Sequence, residues 1–280
     1  MSESTLTSPK LQSEVSWQQL LLVFVLALLL FITVRWQPDS WLQSRISEQC
    51  QQNGLILDYK ELHLDGIGVR LETVSVQTAA MSQPLQLETL RLSPAWTSLF
   101  NGSPGIDLQL NWFGQRVETR LIRQEAYVDI EGLHADIDAA LLQPLLQLPD
   151  KLIGKLNLSG DLRVDMQSGR PLQGGLQASW QSAAIEMNGS MPLGDYQLIV
   201  KSKGSSGVWQ WSLGGGTALL LQGDGKLEMA AGVPVQAWAI AGNGRLEAGK
   251  DAINMAAMLG QKPLMFKLSG PLLKPLLQRM

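Results

Sequence analysis

Two histidines, His63 and His134, and one cysteine, Cys50, are the side chains of this 280-residue chain best suited to act as base, nucleophile or soft metal ligand. Together they fall short of a Cys₂His₂ or Cys₄ zinc site, and a lone cysteine closes no internal disulfide. A serine triad would have to recruit one of the histidines, yet neither lies near a G-x-S-x-G elbow. His63 falls in Leu62-His63-Leu64-Asp65, on the polar parity of a strand, and His134 precedes a stretch with helical spacing; both read as surface residues. Asp136 and Asp138, two apart on that expected helix, point in different directions and read as helix-start charges rather than a paired acid and base. Gly66-x-Gly68 and Gly242-x-Gly244 lack the third glycine and the following helix of a dinucleotide loop, and no G-x-x-x-x-G-K-[ST] run occurs. The chain therefore reads as a non-enzyme with no catalytic, cofactor-binding or metal-binding residue assigned.

What remains is surface. Trp209 and Trp211 are two apart and share one face of a strand, and Trp180 lies in the same half of the chain. Such a stripe is either core or an open apolar face, so Trp180, Trp209 and Trp211 are the candidate face for a partner or a lipid chain. Lys plus Arg is 22 and Asp plus Glu 25, a net charge of −3 with a sequence pI near 5.5, so there is no basic excess to neutralise nucleic acid. The 45% hydrophobic content excludes a wholly disordered chain. The 17% of charged residues is low against the roughly 25% of soluble domains.

Part of that deficit lies at the N-terminus. Val15 to Val34 carries no charge, and Leu20 to Phe31 reads LLLVFVLALLLF. About 20 apolar residues match a hydrocarbon core of about 30 Å, and Trp17, Trp36 and Trp41 sit where headgroups would be. The residues after the run offer no small-x-small cleavage site, so an uncleaved anchor over residues 15–36 is expected rather than a signal peptide. Residues 1–14 are then a cytoplasmic tail, the membrane is held through Leu20 to Val34, and residues 37–280 form a periplasmic β-rich domain. Lys10 before the span against Arg35 and Arg45 after it gives the positive-inside rule little force, so orientation rests on the character of the remainder.

From about residue 54 the dominant period is two. Leu156 to Met166 alternates apolar and polar, and so do Ile106–Leu110, Leu172–Trp180, Ile185–Met187, Tyr196–Val200, Leu219–Met229 and Leu264–Leu268. Turns are expected at Gln167–Pro171, Met191–Asp195, Lys203–Gly207 and Gly242–Gly244. The parity shifts between Leu71 and Val74 and between Leu87 and Leu90, as at β-bulges, and glycines stand inside strands at Gly160, Gly174, Gly189, Gly223 and Gly225. Between His134 and Leu152, Ile137, Leu141, Leu145 and Leu148 recur at three or four with Asp136 as N-cap, predicting a helix that lids the sheet. A shorter helix is expected around Glu61 or after Trp36. The fold class is mainly β: one N-terminal transmembrane helix, then a curved antiparallel β-meander with one short helix, its division into halves 54–132 and 150–280 left open.

Several segments in order carry a resemblance. Leu172 to Ala184 with its Trp180, Pro192-Leu193-Gly194-Asp195-Tyr196, the run Gly214-Gly215-Gly216 followed by Leu221-Gln-Gly-Asp-Gly225, and Met258-Leu259-Gly260 before Phe266-Lys-Leu-Ser-Gly270 resemble the general secretion pathway protein N family of type II secretion systems. That resemblance implies an accessory inner-membrane, single-pass component of the machine that exports folded proteins, without inherited catalytic residues and with other secretion components as partners. The ending Leu268-Ser-Gly-Pro-Leu-Leu-Lys-Pro275 equally resembles AsmA-like proteins, which implies an alternative: a periplasmic lipid-carrying or outer-membrane assembly protein with phospholipid as ligand. An anchored envelope hydrolase ranks lowest, because no nucleophile and base come together by motif.

Overall fold

In a computed structural model of the chain, the described residues are Glu48, Cys50, 55–78, 84–100, 102–142, 151–186, 189–204, 207–230, 238–249, 263–272 and 274–280. Met1–Asn53 and Gly54–Met280 form separate units, and the sheet belongs to the second. It is built from β1 (Leu55–Asp65), β2 (Gly68–Thr78), β3 (Leu85–Pro94), β4 (Gly105–Trp112), β5 (Gln115–Arg123), β6 (Tyr127–Asp138) and β7 (Lys151–Asp165). It continues through β8 (Pro171–Glu186), β9 (Ser190–Ser202), β10 (Val208–Gly215), β11 (Leu219–Glu228), β12 (Ala239–Ala248), β13 (Leu264–Pro271) and β14 (Leu276–Arg279). All 14 strands form one sheet in chain order, each antiparallel to the next. The short helix α1 (Trp96–Phe100) and a 3₁₀ turn at Ala139–Leu142 are the helical pieces among the described residues of this unit.

Directly opposed residues of antiparallel strands share a face, so period-two patterning in each strand becomes a two-faced sheet once the registers align. One row of partners runs from Leu62 through Leu90, Val117, Leu158, Leu198 and Leu213 to Phe266 and is apolar almost throughout. The neighbouring row runs from His63 through Arg91, Glu118, His134, Gln177 and Asp224 to Gln278, with Ile199 its one apolar member. A single-residue slip anywhere would turn leucines to the polar face, so the pattern pins the register.

The expected parity changes are present. Tyr59, Val74 and Leu87 align on one side of the break and Glu61, Glu72 and Thr89 on the other. Lys60, Thr73 and Glu88 stand between, and Thr73 takes φ +53°. The break crosses three strands together, which keeps their registers matched; the step in β1 carried no separate signal. Other irregularities were not anticipated, and two of them follow one pattern. β6 has an extra residue at Gly132 (φ +58°) and β8 one at Ser182 (φ +50°). Each bulge frees a backbone N–H, and each donates to an aspartate on the next strand: Gly132 to Asp161 at 2.7 Å and Ser182 to Asp195 at 2.6 Å.

Four local expectations are corrected. β6 carries His134 to Asp138 as strand, and only the 3₁₀ turn follows, with Asp138 Oδ1 accepting the Ala140 N–H at 2.9 Å. Asp136 and Asp138 thus lie on one strand face with His134, because pairing with β7 outweighs local helix spacing. Residues 143–150 of that expected helix lie outside the described residues. Glu61 is strand, in β1, which removes one of the two places expected for a shorter helix, while Glu48 and Cys50, on the stretch after Trp36, are helical. Met191–Asp195 lies inside β9, where Met191, Pro192 and Gly194 pair with β8 across a shifted register, and Gly242–Gly244 lies inside β12, fully paired on both sides. The glycines of β12 answer to packing rather than to a turn, as shown below. No helix among the described residues is long and apolar enough to cross a membrane, and the expected anchor at 15–36 lies outside them.

Candidate functional site

The apolar face encloses a groove over β9 to β14. Leu198, Val200, Trp211, Leu213, Leu221, Leu227, Ile240, Leu246, Leu264, Phe266, Leu268, Leu272 and Leu277, with Gly223, line this groove of about 580 Å³, in which every residue is apolar. Its floor is made thin by glycine. A Cβ at Gly242 would stand 2.3 Å from the Trp211 ring, one at Gly225 2.8 Å from it, and one at Gly244 2.1 Å from the Phe266 ring. Glycine in a strand forfeits a side chain, and here an aromatic ring from one or two strands away covers each bare stretch of backbone. At Gly174 the reason differs: φ is +136°, and a Cβ would lie 2.1 Å from the Asp161 carbonyl oxygen of the paired strand.

Trp209 and Trp211 are buried with Leu227 and Met229 in one cluster. Trp209 is 1% exposed and Trp211 8%, and neither indole Nε1 has a hydrogen-bond partner. An unpaired buried donor costs about 1–3 kcal/mol, so ring packing must offset it. Trp180 belongs elsewhere. It packs beside Ala183, Leu193 and Tyr196, with ring centroids 6.0 Å from Tyr196, and its Nε1 donates to the Ile153 carbonyl at 3.0 Å. The structure therefore brings Trp209 and Trp211 together and sets Trp180 in a second cluster. Tyr196 OH donates to the Leu219 carbonyl at 2.7 Å, and burial pushes its pKa above the ordinary tyrosine range. Leu198, Phe266 and Leu268 were legible as strand residues, but their gathering around one groove needed the registers.

The polar face has its own hollow, of about 890 Å³, at the β6 bulge. Arg120 Nε donates to Asp107 at 2.7 Å, and Arg163 Nε and Nη2 to Asp129 at 2.7 and 3.2 Å, with the Arg163 guanidinium 4.2 Å above the Tyr127 ring. Those carboxylates raise the pKa of both arginines through hydrogen bonds first, with Coulomb attraction in support. Glu118, Glu131 and Asp161 add further negative charge to the lining. The hollow is open and the arginines are more than a third exposed, although Asp129 is largely covered, so hollow and pairs form a sided, charged surface.

His63 stays on this face, as its strand parity implies, and His134 joins it because β6 carries it as strand. His63 Nε2 lies 3.3 Å from Glu61, which is opposite Glu72; these three could approach one cation, but they are solvent-facing and Arg70 Nε lies 3.5 Å from Glu72. His134 Nε2 lies 3.3 Å from Asp136, both more than half exposed. Among the described residues, the side chains paired with the two histidines are carboxylates, Glu61 and Asp136. Cys50 lies outside the sheet unit, and burial raises its thiol pKa, the direction opposite to an activated thiolate.

The model of a protein family described as type II secretion system (T2SS), protein N, matches residues 73–263, a span that runs from within β2 through β12 and stops before β13 and β14. No curated protein sequence and no solved structure gives a match.

Proposed function

The chain belongs to the type II secretion system protein N family, and from that membership we propose that it is an accessory inner-membrane component, held by one span over residues 15–36 with residues 1–14 in the cytoplasm and the sheet in the periplasm. Membership makes it a component of the machinery that exports folded proteins; the anchor and its orientation are the further step. The observation that carries the reading is the family match across 73–263, and the uncharged run from Val15 to Val34 supplies a segment of the right length for the span. The two-faced sheet suits a docking role: its polar face presents Arg–Asp pairs, and its apolar face presents the leucine-lined groove to a partner, with Trp209 and Trp211 buried in the packing that supports it and Trp180 in a separate cluster. Other envelope components of the secretion system are the expected partners, and no step of chemistry is assigned to the chain.

The test pairs topology with export. Intact inner-membrane vesicles and spheroplasts are treated with protease, and residues 54–280 should be cut only from the periplasmic side. Deleting the gene should lower the secreted fraction of folded exoproteins and retain them in the periplasm. Cleavage from the cytoplasmic side would sink the topology, and unchanged export the role.

One observation favours the second reading. The groove over β9 to β14 has an all-apolar lining, as an AsmA-like lipid-carrying or outer-membrane assembly protein would require. Under that reading deletion changes lipid distribution in the envelope while export of folded proteins continues.

A further inference from the structure

The groove leaves hydrocarbon-binding surface along one face of the sheet, and two features narrow what can fill it. The first is chemical uniformity. An extended peptide laid along the groove would carry N–H and C=O groups past a wall that has nothing to pair with them, at about 1–3 kcal/mol for each group left unsatisfied. A saturated or monounsaturated hydrocarbon chain carries no such groups. The rings of Trp211 and Phe266, seated on Gly242 and Gly244, give it a smooth wall.

The second is one charge. In β9 to β14, Lys201, Asp224, Lys226, Arg245, Glu247 and Lys267 all fall on the polar parity of their strands. Arg279 does not. It is the cross-strand partner of Phe266 and follows Leu277, itself part of the groove lining, by two residues, so it stands on the apolar face at the outer rim. It is exposed there. A guanidinium at the lip of a hydrocarbon groove complements an amphiphile whose polar end is anionic, and its planar fork suits a phosphate or carboxylate. In a chain that serves the cell envelope, the abundant molecule with that build is a glycerophospholipid.

We propose that the β9–β14 groove holds one acyl chain of a phospholipid, with the headgroup phosphate bound by Arg279. This goes beyond the secretion role and does not depend on it: a lipid that stays in place satisfies the proposal as well as one that is carried. It rests on the second reading for the class of ligand and adds where the acyl chain sits and which residue meets the headgroup, without requiring transport.

The experiment uses the full-length chain in vesicles of phosphatidylethanolamine with phosphatidylglycerol bearing a diazirine on one acyl chain. After irradiation, labelled peptides are mapped by mass spectrometry. Label should fall on Leu221–Leu227, Leu246 and Leu264–Leu268. Arg279→Glu should reduce it about tenfold and Arg279→Lys restore most of it, as a charge-assisted contact demands. Because Arg279 lies on a short exposed strand, circular dichroism of both variants should match the parent. Leu246→Trp, which fills the groove with apolar volume, should abolish the same label. Three results would each overturn the proposal: label confined to residues 15–36, equal labelling by an uncharged diazirine monoacylglycerol with indifference to Arg279→Glu, or crosslinks joining β11–β13 of two copies in place of lipid. Export of folded proteins, measured in the same variants, reports on the secretion role separately.

Discussion

The stretches β3–β8 and β9–β14 are built from the same alternating strands, yet each encloses space on the opposite face. In β3–β8 the enclosed side is polar, at a bulge where Gly132 bends β6 and Asp161 takes the freed N–H. In β9–β14 it is apolar, where glycines withdraw side chains and Trp211 and Phe266 lie across the gap. The difference shows that alternation decides which residues share a face but not which face becomes concave. That depends on a few positions where a residue is added or a Cβ is missing.

Breaking the apolar side should cost most. Trp211→Ala removes a buried indole from its cluster, and a loss of about 3–5 kcal/mol is expected in urea unfolding followed by fluorescence. Trp211→Phe should lose much less, since the indole N–H has no partner to forfeit. Gly242→Val comes next. Its Cβ would meet the Trp211 ring at 2.3 Å and the Asp224 carbonyl oxygen at 2.4 Å, and overpacking of that kind costs about 1–3 kcal/mol. Gly214→Ala, where a Cβ meets nothing within 4 Å, should stay within about 0.5 kcal/mol. If the two glycines behave alike, aromatic cover is not what the β12 glycines serve.

On the polar side the effects should be smaller. Asp161→Ala leaves the Gly132 N–H without its acceptor, but near solvent, so a loss of about 1 kcal/mol is expected. Arg163→Ala should cost about 1 kcal/mol or less, since Arg163 in the pair with Asp129 is more than a third exposed and part of the contribution comes from the Tyr127 ring. An Arg163→Ala loss as large as that of Trp211→Ala would show that the two sides are held by comparable forces and defeat the comparison.

The smallest expected effect is on alkaline stability. Burial raises the folded-state pKa of Tyr196, so between the ordinary tyrosine value and the raised one the folded state holds the proton more firmly than the unfolded chain. Stability is then undiminished below about pH 10 and falls as pH rises past it. Tyr196→Phe should flatten that fall in a pH series of melting temperatures, at the expense of the hydrogen bond to Leu219. A fall of unchanged steepness would place its cause at another group.

Much of this organisation was legible in the chain. The alternation of Leu156–Met166, the turns at Gln167–Pro171 and Lys203–Gly207 and the parity changes near Leu71 and Leu87 all have counterparts in the sheet. The errors share one cause. Gly242–Gly244 and Met191–Asp195 have the composition of turns, and His134–Leu152 the spacing of a helix, but hydrogen bonding to neighbouring strands overrides such local preferences wherever a partner is in register. The bulges at Gly132 and Ser182 were invisible because the aspartates that stabilise them sit on other strands. The candidate site was half legible: Trp209 and Trp211 share a face by spacing alone, while their separation from Trp180 followed from register.

By itself the sequence determined that the chain is mainly β and two-faced, because composition and period two are properties of each residue and its near neighbours. Only the tertiary structure decided that the leucines of six strands converge on one groove, that the glycines of β11 and β12 make room for Trp211 and Phe266, and that Arg279 stands on the apolar side. Those facts depend on which strands pair and in what register, and register is settled by contacts between residues tens of positions apart.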